Sequence, residues 1–154
     1  RKGLWCLMAI GSVVQTVRSN LKTQLDARSG LNGVTVFKYA PLDQAPKKEM
    51  IYIGDANSEL EFQSFGSVYE EQIDLKVFVY VLRAGAGDSV AGTVETRAVA
   101  LANEVLDQLS DDATINGAVI VSRMRNMEIE NTISDEGRIC LIEMDIEAEA
   151  TTSE

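Results

Sequence analysis

Apolar residues recur along this chain at two periods, and the switches between them set out its elements. Val13, Val17, Leu21 and Leu25 return every fourth residue with Val14 beside them, the stripe of an amphipathic helix. The spacing predicts a helix over about 12–28. Ser12 followed by Gln15 has the form of a capping box, Arg28 falls where a helix dipole favours a cation, and Gly30 is placed to end the helix. A second helical stripe, Val90, Val94, Ala98, Leu101, Val105 and Leu109, predicts a helix over about 89–109 with Asp88 or Ser89 as its N-cap.

The remaining apolar residues alternate with period two. Short strands are expected at Val34–Phe37 and Met50–Ile53, the second closed by Gly54-Asp55, with a weaker strand at Leu60–Phe65. From Glu70 to Leu82 the alternation is strongest, with Ile73, Leu75, Val77, Val79 and Val81 on one face. Two further strands, 118–131 and 138–150, flank the turn sequence Ser134-Asp135-Glu136-Gly137. Along the first of these the apolar residues are even-numbered at Ile120 and Met124 and odd-numbered at Met127 and Ile129. A one-residue phase shift near Asn126 is what a β-bulge produces. The order predicts an α+β fold: a mostly antiparallel sheet with two helices packed on one face and a C-terminal β-hairpin. One domain is expected over 12–150, with an N-terminal extension at 1–11 and a tail at 151–154. Residues 1–7 read as an upstream extension.

Charge changes the picture. The formal net charge is −10, but residues 1–48 carry eight Lys/Arg and two Asp/Glu, whereas residues 49–154 carry six and 22. Such asymmetry marks a chain that meets nucleic acid or copies of itself, and the overall acidity argues against general DNA binding. In the last strand Glu143, Asp145, Glu147 and Glu149 alternate with Ile142, Met144, Ile146 and Ala148. Strand geometry puts the four acids in one row, with like charges ~6.6–7 Å apart. Arg123 and Arg125, across the hairpin, are the expected cross-strand partners of that row.

Candidate chemistry is sparse. There is no histidine, which removes the commonest general base and metal ligand, and the two cysteines, Cys6 and Cys140, read as reduced thiols. Gly85-Ala86-Gly87 lies between a strand and a helix, as a phosphate loop would, but position 90 is valine and no Lys-Ser/Thr pair follows. Glu70-Glu71 and Asp111-Asp112 read as solvated element ends. No catalytic residue, cofactor or metal is expected, and no apolar run approaches the ~18 residues that span a bilayer.

The helix around Val13–Leu25, the loop with Pro41 and Pro46, the strand Ile51–Gly54, the long strand Ile73–Leu82, the helix Val94–Leu109 and the final hairpin with Gly137 form a recognisable order. It resembles the tail terminator proteins of long-tailed bacteriophages, also called tail-completion or tail-to-head joining proteins, over about 8–150. The resemblance rests on pattern and order. It implies a non-enzymatic virion protein, assembled in the host cytoplasm, whose partners are its own copies, the tail-tube protein and the head connector. Such proteins form a ring, usually a homohexamer, that ends tube polymerisation, receives the head connector and lets DNA pass without binding it specifically. The row Glu143, Asp145, Glu147 and Glu149 would then face the lumen. Pro41, Asp43, Pro46, Lys47 and Lys48, together with the segment Gly54–Gly66, would contact the tube or a neighbouring subunit. The alternatives are a tail-tube or neck subunit, a small α+β ligand-binding domain, and a DNA-binding module built on the basic N-terminal helix.

Overall fold

A computed structural model describes residues 12–41, 48–62 and 68–153. The expected extension at 1–11, including Cys6, therefore lies outside the described residues. Helix α1 spans Val14–Asp26, a single 3-10 turn follows at Ser29–Leu31, and strands β1 (Thr35–Phe37), β2 (Glu49–Phe62) and β3 (Val68–Arg83) come next. Helix α2 (Asp88–Asp111) then leads to β4 (Val121–Ser134) and β5 (Gly137–Ser153). The five strands form one sheet in the order β1-β2-β3-β5-β4, with β1 parallel to β2 and every other pair antiparallel. This is the α+β architecture that the alternating periods imply.

The core lies between one sheet face and the two helices. The β3 residues Ile73, Leu75, Val77, Val79 and Val81 and the β5 residues Cys140, Ile142, Met144 and Ile146 are buried there. They meet Val17, Leu21 and Leu25 of α1 and Val94, Ala98, Leu101, Ala102 and Val105 of α2. Both helical stripes are thus the buried faces, as amphipathic helices on a sheet require.

Two irregularities shape the sheet. The phase shift in β4 is a bulge between Met124 and Asn126 that leaves Arg125 as the extra residue. A second bulge lies between Ile53 and Ala56, where a strand end at Gly54-Asp55 was expected. The chain does not stop pairing there. It absorbs one extra residue, with Gly54 and Asp55 opposite Lys76, and continues against β3 to Phe62, so the two short strands are one; residues 63–65 of the weaker strand lie outside the described residues. Both bulges fall level with Lys76 and its β5 partner Asp145, so the outer strands bend at the same height. β5 also runs past Ala150 to Ser153.

The helix ends differ from expectation because tertiary partners take over the capping. Ser12 and Gln15 form no capping box. The Ser12 hydroxyl accepts from Val14 N–H at 3.2 Å and donates to Glu71, while Gln15 accepts from the Tyr39 hydroxyl at 3.1 Å. Glu71 is not a solvated strand end but is 1% exposed. Its carboxylate also accepts Val13 N–H at 2.9 Å and the Ser58 hydroxyl at 2.5 Å, placing an anion at the positive end of α1. Arg28 lies beyond α1 and reaches α2 instead, donating to Glu104 at 2.8 Å and to Gln108 and Asp111 at 3.0 Å each. α2 starts after Gly87, with Asp88 inside its first turn and no side-chain cap. Asp112 is an organiser rather than a bare helix end. It accepts from Thr114 and Asn116 in the loop and from Gln24 of α1. Those bonds, the Thr114 hydroxyl first, hold its carboxyl below the usual range.

Candidate interaction surface

Strand alternation buries one face of the sheet, and among the described residues no helix packs on the other. At one end this face is aromatic: Tyr52 and Phe78, paired across β2 and β3, stack with centroids 4.8 Å apart and an interplanar angle of 15°. Burial pushes the Tyr52 phenol up, and the Glu143 charge adds to it.

Around that stack and towards the other end the face is acidic. Glu143, Asp145, Glu147 and Glu149 stand on β5 with alternate residues in the core. The register adds Glu59 and Glu61 on β2, Glu70 and Asp74 on β3, and Glu128 and Glu130 on β4 to the same side. Among the described residues these ten carboxylates share the face with the cations Lys76, Arg123 and Arg125. Lys76 bridges two of the row, 2.7 Å from Glu143 and 2.8 Å from Asp145, and these contacts raise its pKa, Asp145 first. Arg123 lies 2.5 Å from Glu147 and 3.7 Å from Glu149, and Arg125 lies 3.9 Å from Glu147. Among the described residues, carboxylates on this face outnumber cations.

Lys76 was missed from sequence because its role depends on β3 lying beside β5, a non-local pairing. Its place on the polar side of the strongest strand was the available signal. The two bulges bound a groove of about 250 Å³ lined by Asp55, Asp74, Lys76, Arg125 and Asp145. Of the expected contact loop, only the two ends lie among the described residues. Pro41 follows β1 and Lys48 precedes β2, at the opposite edge from β4, and Asp43, Pro46 and Lys47 lie outside the described residues. Gly85-Ala86-Gly87 serves as a connection: the Ala86 carbonyl accepts two bonds from Arg138, at 2.7 and 3.0 Å. Cys140 is a free, buried thiol, pushed up to about 11 by burial and by Glu95. Among the described residues no helix is long and apolar enough to cross a membrane.

Neither family models nor curated proteins match the sequence. A solved virion shares the fold. A chain from the virion of a native gene transfer agent (GTA) particle superposes with a TM-score of 0.50 at 15% identity, over 87% of this chain and 93% of that one. At that identity the likeness speaks for the fold alone.

Proposed function

We propose that this chain is a structural virion protein that acts as a tail terminator. Copies of it form a six-fold ring on the last ring of the tail tube, stop tube growth and present a docking surface to the head connector. The observation that carries this reading is the sheet face turned away from α1 and α2, on which ten carboxylates and three cations stand among the described residues. On the lumen wall such a surface repels phosphates and lets a duplex slide without sticking. The basic first third and acidic remainder suit a head-to-tail ring, in which two different patches meet heterologously and close. Fold kinship with a virion chain points the same way.

The test is electron microscopy of the purified protein, alone and with isolated tail tubes. A single ring seated at one tube end is expected. Tubes grown by the pure protein would make it a tube subunit instead, and rings that bind the connector but not the tube would make it a neck protein. In assembled particles, reversing Glu143, Asp145, Glu147 and Glu149 to Lys slows DNA ejection with ring assembly retained. Normal ejection from that variant removes the lumen role.

A further inference from the structure

Among the described residues, each cation on the acidic sheet face lies against the β5 row. Lys76 approaches from β3, opposite Asp145, and bridges Asp145 and Glu143. Arg123 approaches from β4, opposite Glu147, and reaches Glu149 as well. Arg125, the extra residue of the β4 bulge, adds a longer contact to Glu147. All four carboxylates of the row are thereby paired. Glu147 touches both arginines, and its side chain is only 16% exposed. The acids on either side differ: Glu59 and Glu61 of β2, Asp74 of β3, and Glu128 and Glu130 of β4 make no ion pair among the described residues. The face therefore holds two kinds of carboxylate, a central row neutralised by cations and unpaired acids flanking it.

The side chains of Arg123 and Arg125 are 57% and 64% exposed, so burial does not keep a phosphate away from them. Charge compensation does. A protein cation binds DNA largely by releasing counterions from the duplex. When Arg123 leaves Glu147 for a phosphate, the abandoned carboxylate recruits a counterion of its own beside Glu149, and the gain cancels. The pairs are far shorter than the ~8 Å Debye length of physiological salt, so screening leaves the compensation in place. The row needs the cations in turn, because like charges ~6.6–7 Å apart along a strand repel one another.

We infer that the β5 row is a mask. Glu143, Asp145, Glu147 and Glu149 occupy Lys76, Arg123 and Arg125 so that none grips a phosphodiester, with Glu147 serving both arginines. Repulsion of a polyanion comes instead from Glu59, Glu61, Asp74, Glu128 and Glu130. The inference rests on the proposed passage of DNA along this face for its purpose, but not for its chemistry.

Fluorescence anisotropy with a short DNA duplex at low salt, followed by a salt titration, tests this on the whole chain, with circular dichroism to verify folding. Glu143→Gln/Asp145→Asn/Glu147→Gln/Glu149→Gln removes the mask. Glu59→Gln/Glu61→Gln/Glu128→Gln/Glu130→Gln removes as many charges and leaves every pair in place. Each has four fewer negative charges than the wild-type −10, hence −6 in both. The unmasked variant binds duplex about 10-fold or more tightly than wild type, and its affinity falls with roughly the second to third power of salt, as three freed cations require. The flank variant stays within about 3-fold of wild type. Adding Lys76→Gln/Arg123→Gln/Arg125→Gln to the unmasked variant abolishes the gain. Equal affinity of the two quadruple variants makes net charge alone decisive and overturns the mask, as does an unmasked variant that binds no better than wild type. Where the quadruple change prevents folding, Glu147→Gln is compared with Glu130→Gln: a gain of about 3-fold in the first alone supports the mask, and equal affinity overturns it. The mask and the terminator reading fail separately. Unmasked protein that binds DNA, from a wild type that grows tubes, supports the mask and refutes the terminator. Equal binding by the two variants of a protein that caps tubes does the reverse.

Discussion

Replacing Glu71 with Ala removes the acceptor on which the N-terminus of α1 depends. The carboxylate is buried in β3 and accepts from the Ser12 hydroxyl, from Val13 N–H at 2.9 Å and from the Ser58 hydroxyl at 2.5 Å. A hydrogen bond to a charged group contributes roughly 1.5–3 kcal/mol, and loss of a helix cap costs about 0.5–2 kcal/mol. These are not additive, and burying the carboxylate is itself costly, so a net loss of about 3 kcal/mol is expected. At this chain length that lowers Tm by roughly 6–12 °C. Urea unfolding followed by circular dichroism reads the free energy, and an unchanged m-value places the effect in the native state. Ser58→Ala, which deletes one of the three donors, should lose about 1 kcal/mol. If Glu71→Ala stays within about 0.5 kcal/mol of wild type, the cap contributes nothing of consequence and the reasoning fails.

Glu49 gives a pH signature. It accepts from Arg97 at 2.9 and 3.0 Å and from Arg83 at 2.5 Å, and these partners, Arg97 first, hold its carboxyl below the ordinary carboxylate range against the opposing effect of burial. A depressed carboxyl binds fewer protons folded than unfolded, so its stabilisation is present above the unfolded pKa and is lost as pH falls from about 4.5 through the folded value. Glu49→Gln should therefore flatten the acid limb of a stability-versus-pH profile in that window; an unaltered limb contradicts the assignment. Gly137→Ala should cost about 3 kcal/mol, because φ is +136° and a Cβ there would stand 2.0 Å from the Arg83 carbonyl oxygen. A crystal structure of that variant with the hairpin register unchanged, together with a wild-type Tm, would refute it.

Much of this architecture is local in origin and was legible in the sequence. The period-four stripes of Val17–Leu25 and Val94–Leu109 mark the buried helix faces, and the period-two rows of β3 and β5 mark the buried sheet face. Even the β4 bulge shows as a slip in phase, because one extra residue must move every later side chain to the other face. The acidic row on β5 follows from the same alternation.

Long-range pairing lay beyond the pattern. Gly54-Asp55 has the composition of a strand end, and only pairing with β3 on both sides makes it a bulge. Glu71 differs little from Glu70 in sequence. It is buried because its register position faces the N-terminus of α1, 58 residues away from its Val13 partner. Lys76 joins Glu143 and Asp145 because β3 and β5 lie side by side, and Tyr39 and Ile129 occupy opposite edges because of strand order. The sequence by itself determined which faces are apolar, since burial follows from periodicity along one element. The tertiary structure alone decided which charges meet, which caps form and which edges stay open, since each depends on elements distant in the chain coming together.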